Sequence, residues 1–451
     1  MANRKKILLL LPSGMTVRNI LYTNVTQLLL ENDNLEIVCC VDKPQKYNSL
    51  FDDKRIRFIN FVKKRSSSFS NILLTIVRRR TELVNENQTT KILREGPFNK
   101  RFPINIDYFP AYPFPRSKIL LKIFSFLLEN LYVSKKEIRK IIDDYAPDLV
   151  VATHVVSRFE YDYLRVAKKN GIKIIGMVKS FDNLTSKGII PLKLDYLITW
   201  NEIIKKELID MYDYSAENIF VTGIPQFDAY KENPEISKED YFKRINFSYK
   251  KNTILFATNS ETIGIDDVSI VELLSKNLEE LNSQLIVRIH PTDNIQRYDG
   301  LKLKDVYFDI AGIDNGLSSD DRVSSHNFIS NLRDQLYFCD VVINTCSTMS
   351  LDAIAINKPV INVFFDFVKR DYNESILRYY DLIHYRPIMD SNSTCLASSK
   401  EELIRLLRDC MNNPEITAKE RDSVIRQMLN GNKGDSAKNI TDAIVQALGL
   451  H

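Results

Sequence analysis

At 451 residues the chain is longer than one hydrophobic core of ordinary size fills, so two domains are expected. Hydrophobic residues at 44% and charged residues at 27% fit a folded soluble protein, and a net charge of +4 is too small to call for nucleic acid as a partner. Six cysteines with no C-x-x-C pair, and no clustering with the five histidines, argue against a zinc site or a disulfide framework and suit a reducing cytoplasm.

The charged start followed by Ile7 to Leu11 mimics a signal peptide, but the apolar run is short and meets Pro12, so it reads as a first strand. Strands are then expected over Glu36–Val41, Leu149–Ala152, Lys173–Val178, Tyr196–Thr199 and Ile219–Thr222, alternating with helical patterns as in a doubly wound parallel α/β domain. The loop after the first strand offers Ser13, Gly14 and Arg18 for an anion or an acceptor. From Lys54 to Arg101 cations outnumber acids, and the alternation breaks through Pro115. Residues 54–117 are therefore expected to be a basic insertion that binds an acceptor or a membrane face. No run reaches the length of a membrane span; the most apolar helix, Ile119 to Tyr132, carries Lys122 and Glu129. His154 follows the strand ending at Ala152. The segment from Ser180 to Gly188 then supplies Asp182, Asn183 and Lys187, read either as a polar ligand loop with Asp182 as general base or as an Asx-type turn bonding its own backbone.

A polar connector through about Lys251 separates a second series, with strands over Thr253–Ala257, Leu285–Ile289, Val341–Asn344 and Val360–Val363, a poorly patterned stretch from Leu301 to Arg322, and a closing helix at Ala437–Leu448. The expected division is 1–235, 236–435 and a C-terminal helix at 436–451, with a cleft between the carboxyl ends of two sheets. Asn259 and Ser260 follow the first strand of this series, and His290 follows the second, its turn stiffened by Pro291. After Asn344, the residues Thr345, Ser347, Thr348 and Ser350 crowd a strand-to-helix turn suited to phosphate, with Asp352 one turn on; an ordinary crossover with a Ser/Thr cap has the same appearance.

The segment from Asn218 to Asp228 is similar to the end of the first domain in GT-B glycosyltransferases, including Kdo transferases, and in UDP-GlcNAc 2-epimerases. His290-Pro291 and Ser347-Thr348 resemble the nucleotide-binding motifs of bacterial capsule transferases that move Kdo or sialic acid, and of CDP-glycerol glycerophosphotransferases. Gln226 stands where many relatives carry a basic residue, and the acid motif of the sialyl- and Kdo-transferring families has no match. The resemblance implies an α/β, GT-B fold of two Rossmann-like domains facing each other across a cleft. It also implies metal-independent transfer of a sugar from a CMP-, UDP- or CDP-linked donor to a capsule, lipopolysaccharide or lipid-linked acceptor, with no separate cofactor. In that picture Asn259, Ser260, Pro291, Thr345, Ser347, Thr348, Ser350 and Asp352 hold the donor, His290 and Asp182 carry the chemistry, and Ser13, Gly14, Arg18, His154, Asn183 and Lys187 meet the acceptor. The expected location is the cytoplasm, peripheral on the inner face of the membrane. A CDP-polyol phosphotransferase and a non-catalytic nucleotide-binding module are the alternatives.

Overall fold

The computed structural model describes residues 4–63, 68–95, 117–186, 190, 192–260, 263–310 and 327–450. The chain divides into two compact units: Met1–Pro225 together with Asp435–His451, and Gln226–Gly434. The division thus falls at Pro225, ten residues before the connector position expected from sequence, and the C-terminal helix belongs to the first unit.

The first unit is built on a seven-stranded parallel sheet of β1 (Lys5–Leu11), β2 (Leu35–Val41), β3 (Ile56–Asn60), β4 (Leu149–Ala152), β5 (Lys173–Met177), β6 (Tyr196–Thr199) and β7 (Ile219–Val221), in the order β3-β2-β1-β4-β5-β6-β7. Ile7 to Leu11 and all of β4 are buried, because helices cover both faces of a parallel sheet and every side chain along a central strand meets protein. β3 pairs with β2 from Ile37↔Ile56 to Val41↔Asn60, so the basic stretch is not all insertion: its first residues complete the sheet. Within the described part of the remainder lie helices at Ser68–Val84 and Gln88–Glu95, and the helix Lys118–Leu131 follows it. The Pro- and aromatic-rich run from Phe109 to Pro115 lies outside the described residues.

The C-terminal helix Ser436–Leu448 returns to this unit and buries Ala437, Ile440, Ala443, Ile444 and Ala447 in a core shared with Ile7, Leu9, Val17 and Ile37. Its entry is tight. Gly223, after β7, has φ +80°, and an added Cβ would lie 2.5 Å from the Ser436 hydroxyl, so a glycine is required on both counts.

The second unit carries β8 (Asn252–Ala257), β9 (Ser283–Ile289), β10 (Val306–Ile310), β11 (Val341–Asn344), β12 (Val360–Val363) and β13 (Cys395–Ala397), all parallel, in the order β10-β9-β8-β11-β12-β13. Asp266 and Ser399 cap the helices that cover it, each accepting from an N–H three residues on. In both sheets the strand order reverses once, between β1 and β4 and between β8 and β11. Such a reversal leaves a crevice at the carboxyl ends of the strands, where open α/β sheets bind ligands.

Candidate active site

In the second unit, β8 delivers Thr258, Asn259 and Ser260 to the reversal point, β9 delivers His290, and β11 delivers Thr345 to Thr348. Because β8 lies between β9 and β11, His290 and Thr345 stand about two strand spacings apart, roughly 10 Å.

His290 is half-buried and fixed from both sides. Its backbone N–H donates to Thr258 Oγ1 at 2.9 Å, and its Nδ1 accepts from the Thr292 backbone N–H at 3.2 Å, with Thr292 Oγ1 at 2.8 Å. An amide N–H can only donate, so Nδ1 is the unprotonated nitrogen and the proton of the neutral ring sits on Nε2. Burial lowers the imidazole pKa below its usual value, partly opposed by Asp293, which keeps the ring neutral at pH 7. Thr292 Oγ1 lies in turn 2.9 Å from Ser260 Oγ, and with its own proton on Nδ1 it accepts from the Ser260 hydroxyl, tying Ser260 into the same chain.

Under this turn lies Asp293, whose side chain is entirely buried. Its carboxylate accepts from Thr258 Oγ1 (3.1 Å), Tyr298 Oη (3.1 Å), Arg297 Nη1 (2.6 Å) and the Asn294 backbone N–H (2.9 Å), riveting the ends of β8 and β9 together. Asn259 is held similarly: its backbone N–H and its Nδ2 donate to Asp267 at 2.8 and 3.4 Å. Burial pushes the Asp267 carboxyl up to about 7, against the pull of those bonds. Asn259 is thereby a buried framework residue rather than an open donor. Sequence reading missed Asp267 and Asp293; the signals were an Asp before an apolar helix and an Asp three residues after His290.

At the end of β11, Cys346 adopts φ 43°, and the chain turns into the helix Met349–Ala355. Thr345 is 1% exposed, and its hydroxyl has no hydrogen-bond partner among the described residues. Ser347 is half-buried, and its hydroxyl accepts from Met349 N at 3.2 Å; Thr348 is exposed. Ser350 departs from expectation. It is fully buried, its hydroxyl shared among Tyr385 Oη (2.7 Å), Asn344 (3.1 and 3.2 Å) and Asn362 Oδ1 (3.4 Å), so it braces the turn from beneath and has no capacity left for phosphate. Asp352 is 4% exposed, and its Oδ1 accepts from Gln226 Nε2 at 2.8 Å and Tyr230 Oη at 2.6 Å. Gln226 thus clamps the start of the unit onto this helix.

The first unit has its own set of loops at the β1/β4 reversal. A cavity of about 20 Å³ there is lined by Thr16, Asn19, Thr153, Lys179, Trp200 and Gly223, among others, and holds no more than a group of hydroxyl or water size. Of the predicted acceptor residues that are described, Ser13, Gly14, Arg18, His154 and Asn183, none lines the cavity. Gly14 opens the helix Gly14–Leu21, Arg18 is buried with Nε on Asn19 Oδ1 at 3.2 Å, and Ser13 is half-buried. The His154 backbone N–H donates to the wholly buried Glu160. Burial pushes the Glu160 carboxyl up to about 8 although the backbone N–H groups of His154 and Thr153, and Lys179, pull it down. Asp182 is half-buried; Oδ1 accepts from Asn183 Nδ2 at 3.1 Å and Oδ2 from Ser186 Oγ at 3.2 Å. Asn183 is fully buried, and its Oδ1 reaches back to accept from the Ser180 N–H three residues earlier, as the third residue of a capping box does, which makes it a turn residue. Lys187 lies outside the described residues. Among the described residues no cluster of three or more His, Cys, Asp or Glu is arranged to hold a metal ion.

The family model for CDP-glycerol:poly(glycerophosphate) glycerophosphotransferases matches residues 141–446, more than half of the chain and the whole of the second unit. The chain belongs to that family. It is a transferase that draws on a nucleotide-activated donor in cell-surface polymer synthesis, with the two parallel-sheet Rossmann-like units of the GT-B fold. Similar solved structures include S. aureus MnaA with UDP (13% identity, TM-score 0.57, 99% of this chain and 98% of that one). Others are UDP-GlcNAc 2-epimerase from Neisseria meningitidis bound to UDP-GlcNAc (12%, 0.53, 98% and 100%) and a glycosyltransferase from Rickettsia africae ESF-5 (13%, 0.52, 99% and 99%). At these identities the likeness concerns the fold. No curated protein matches the chain in sequence. Relative to the glycerophosphotransferase family model, β1 to β3 and the basic stretch precede the matched segment.

Proposed function

We propose that the second unit binds a nucleoside-diphosphate-linked donor at the β8/β11 reversal, with Thr345, Ser347 and Thr348 and the neutral His290 meeting its phosphates. The observation that carries this reading is the pairing of a buried, unpartnered Thr345 hydroxyl with an imidazole whose Nε2–H is left over as a donor. A buried hydroxyl without a partner costs about 1–3 kcal/mol, a cost that a phosphate oxygen would remove. Ser260 and Pro291 shape the wall beside His290, Asp352 supports the helix from the Gln226 side, and Ser350 and Asn259 act only through the framework. Asp182, a half-buried carboxylate in the turn after β5, is the proposed general base for the acceptor hydroxyl, and Ser13, Gly14, Arg18 and His154 flank the proposed acceptor side.

Two transfers fit such a site. In sugar transfer the bond from the anomeric carbon to the diphosphate breaks, the acceptor oxygen bonds to that carbon, and a nucleoside diphosphate leaves. In glycerol- or ribitol-phosphate transfer the acceptor attacks the distal phosphorus, the bridging oxygen leaves with the nucleotide, and CMP is released; the family match is compatible with this second reading. The acceptor proposed in either case is a surface glycan, capsule or teichoic-type polymer, or a lipid-linked precursor, reached from the inner face of the cytoplasmic membrane.

The test is a thermal-shift panel of CMP, CDP, UDP, GDP and ADP, since a ligand at 100 times its Kd adds about 2.7 kcal/mol of stability. Mass analysis of product made from the donor of the stabilising base follows. Release of CMP with a gain of one polyol phosphate marks phosphotransfer, and release of the diphosphate with a gain of one sugar marks glycosyl transfer. No shift with any nucleotide would refute the donor site.

A further inference from the structure

The triple arginine Arg78 to Arg80 does not form the outer face of the basic stretch. Arg80 is 1% exposed with its guanidinium over the Phe124 ring, Arg78 donates to the Val156 carbonyl at 2.9 Å, and Arg79 pairs with Glu82 at 2.7 Å. What faces water instead is apolar. The helices Ser68–Val84 and Lys118–Leu131 pack together in opposite directions: the Val133 N–H donates to Ser70 Oγ at 3.1 Å at one end, and Arg80 covers Phe124 at the other. Leu73, Leu74, Val77 and Leu128 are buried within this layer. On the outside stand Phe69 (57% exposed) and Ile72 from the first helix, and Ile119 (72%), Ile123 and Phe126 (64%) from the second. The last three are spaced i, i+4, i+7, one continuous helical face. Single exposed apolar residues need no explanation, but three along one face of a single helix do.

The charge around this strip names the occupant. Lys118 and Lys122 are exposed and interleave with Ile119 and Ile123, while the helix's one acid, Glu129, is half-buried. A second copy of the chain meeting this face across a two-fold axis would set these lysines against one another with no exposed acid among the described residues of either helix to answer them. An anionic lipid surface supplies both needs, head-group charge for the lysines and an acyl boundary for Ile and Phe. No helix among the described residues is long and apolar enough to cross a membrane, so the pair would lie along the surface.

We propose that the helix pair Ser68–Val84 and Lys118–Leu131 is the membrane-seating surface of this protein, with Ile119, Ile123 and Phe126 inserted at the acyl boundary and Lys118 and Lys122 at head-group level. The proposal rests on the peripheral-membrane reading above and gives it a surface; it does not depend on the identity of the donor.

The experiment is co-sedimentation of the full chain with phosphatidylcholine vesicles with and without phosphatidylglycerol. It compares wild type, Phe126→Ser, the triple variant Ile119→Ser/Ile123→Ser/Phe126→Ser, and Lys118→Gln/Lys122→Gln. Wild type is expected to pellet with the anionic vesicles. Partition should fall roughly tenfold for each apolar side chain removed, and about fivefold for each lysine on anionic vesicles only, the lysine part fading in high salt. Because all five residues are exposed, melting temperature and nucleotide shift should match wild type, which keeps Phe126→Ser informative even if the triple variant is unstable. Wild type that stays in the supernatant, or a Phe126→Ser variant that pellets as wild type does, overturns the proposal. So does a lipid-free wild-type dimer, seen by sedimentation velocity, that the same substitutions dissociate. Wild type that pellets yet binds no nucleotide refutes the donor site and leaves this surface standing.

Discussion

Glu160 offers a direct test of how the head of the first sheet is held. The side chain is wholly buried, receives the His154 backbone N–H at 3.2 and 3.1 Å, and has its carboxyl pushed up to about 8 by burial, with the Thr153 and His154 N–H groups and Lys179 pulling the other way. A carboxyl whose folded pKa lies above its unfolded value of 4.5 binds more protons folded than unfolded between the two. Its stabilising contribution is therefore complete below about pH 4.5 and is lost as pH rises to about 8. At 1.36 kcal/mol per unit, the 3.5-unit gap corresponds to about 5 kcal/mol across that window. Glu207, pushed to about 7 by burial, and Asp267, pushed to about 7 by burial, add slopes of the same sign. Asp148, whose carboxyl is held below its ordinary value of 3.8 by Lys5 and Lys6 in spite of burial, changes stability only in the acid range beneath this window. Glu160→Gln keeps an acceptor for the two N–H groups and removes the titration. Urea unfolding at pH 5, 6, 7 and 8 should show wild type losing stability with pH, and the variant losing it about 1.4 kcal/mol less per unit, with the two close together at pH 5. Parallel pH dependences for the two proteins would refute the assignment of Glu160 as a buried neutral acid.

Thr345→Val removes an unpartnered buried hydroxyl at nearly constant shape. The ligand-free protein should be as stable as wild type or up to about 3 kcal/mol more so, while nucleotide affinity falls about tenfold. Equal thermal shifts for both proteins would remove Thr345 from the donor site. Ser350→Ala should do the opposite, costing about 2 to 3 kcal/mol in urea unfolding through the lost bonds to Asn344, Asn362 and Tyr385, with unchanged nucleotide Kd by calorimetry. Asp293→Ala strands Arg297, Tyr298 and Thr258 beneath His290 and should cost about 3 to 5 kcal/mol; an unaltered urea midpoint would show that the rivet carries no load.

The strands missed from sequence share one property: β3, β10 and β13 each stand at the edge of a sheet. Central strands such as β4, β11 and β12 are buried on both faces and read as Val/Ile-rich runs, whereas β10 buries only Asp309, and β3 buries only Ile56 and exposes Arg57 and Asn60. The loops that carry the candidate site were legible for the same reason, since an apolar run ends where its carboxyl edge begins. The direction of the side chains was not. Ser347 and Ser350 differ by three positions in a helix start, yet one meets the turn and the other is drawn under it by Asn362 and Tyr385, partners 12 and 35 residues away. Asp267 and Glu160 were not read as site residues because each holds a backbone N–H that only the fold brings near, and Asp293 because its partner Thr258 stands 35 residues away on the neighbouring strand end.

The hydrogen bonding around His290 decides what this residue can contribute. With Nδ1 taken by the Thr292 N–H and the ring kept neutral by burial, the imidazole offers Nε2–H, a donor, and has no free lone pair in the ring plane with which to accept a proton. In the proposed donor site its place is therefore at developing negative charge on the leaving phosphate, and the acceptor's proton goes to another group, for which Asp182 is the proposed carboxylate. This separation makes a prediction that a base at position 290 does not. His290→Ala removes one charge-stabilising donor and should cost a factor of about 10² to 10³ in kcat. His290→Gln restores an N–H at similar reach and should recover activity to within about tenfold of wild type, because a side-chain amide donates as an imidazole Nε2–H does but cannot serve as a base. Single-turnover rates with saturating donor would resolve the two. A Gln variant as inactive as the Ala variant, together with an acid limb in the wild-type pH–rate profile that vanishes in both, would return the general base to His290 and leave Asp182 as the turn residue its bonds to Asn183 and Ser186 already make it.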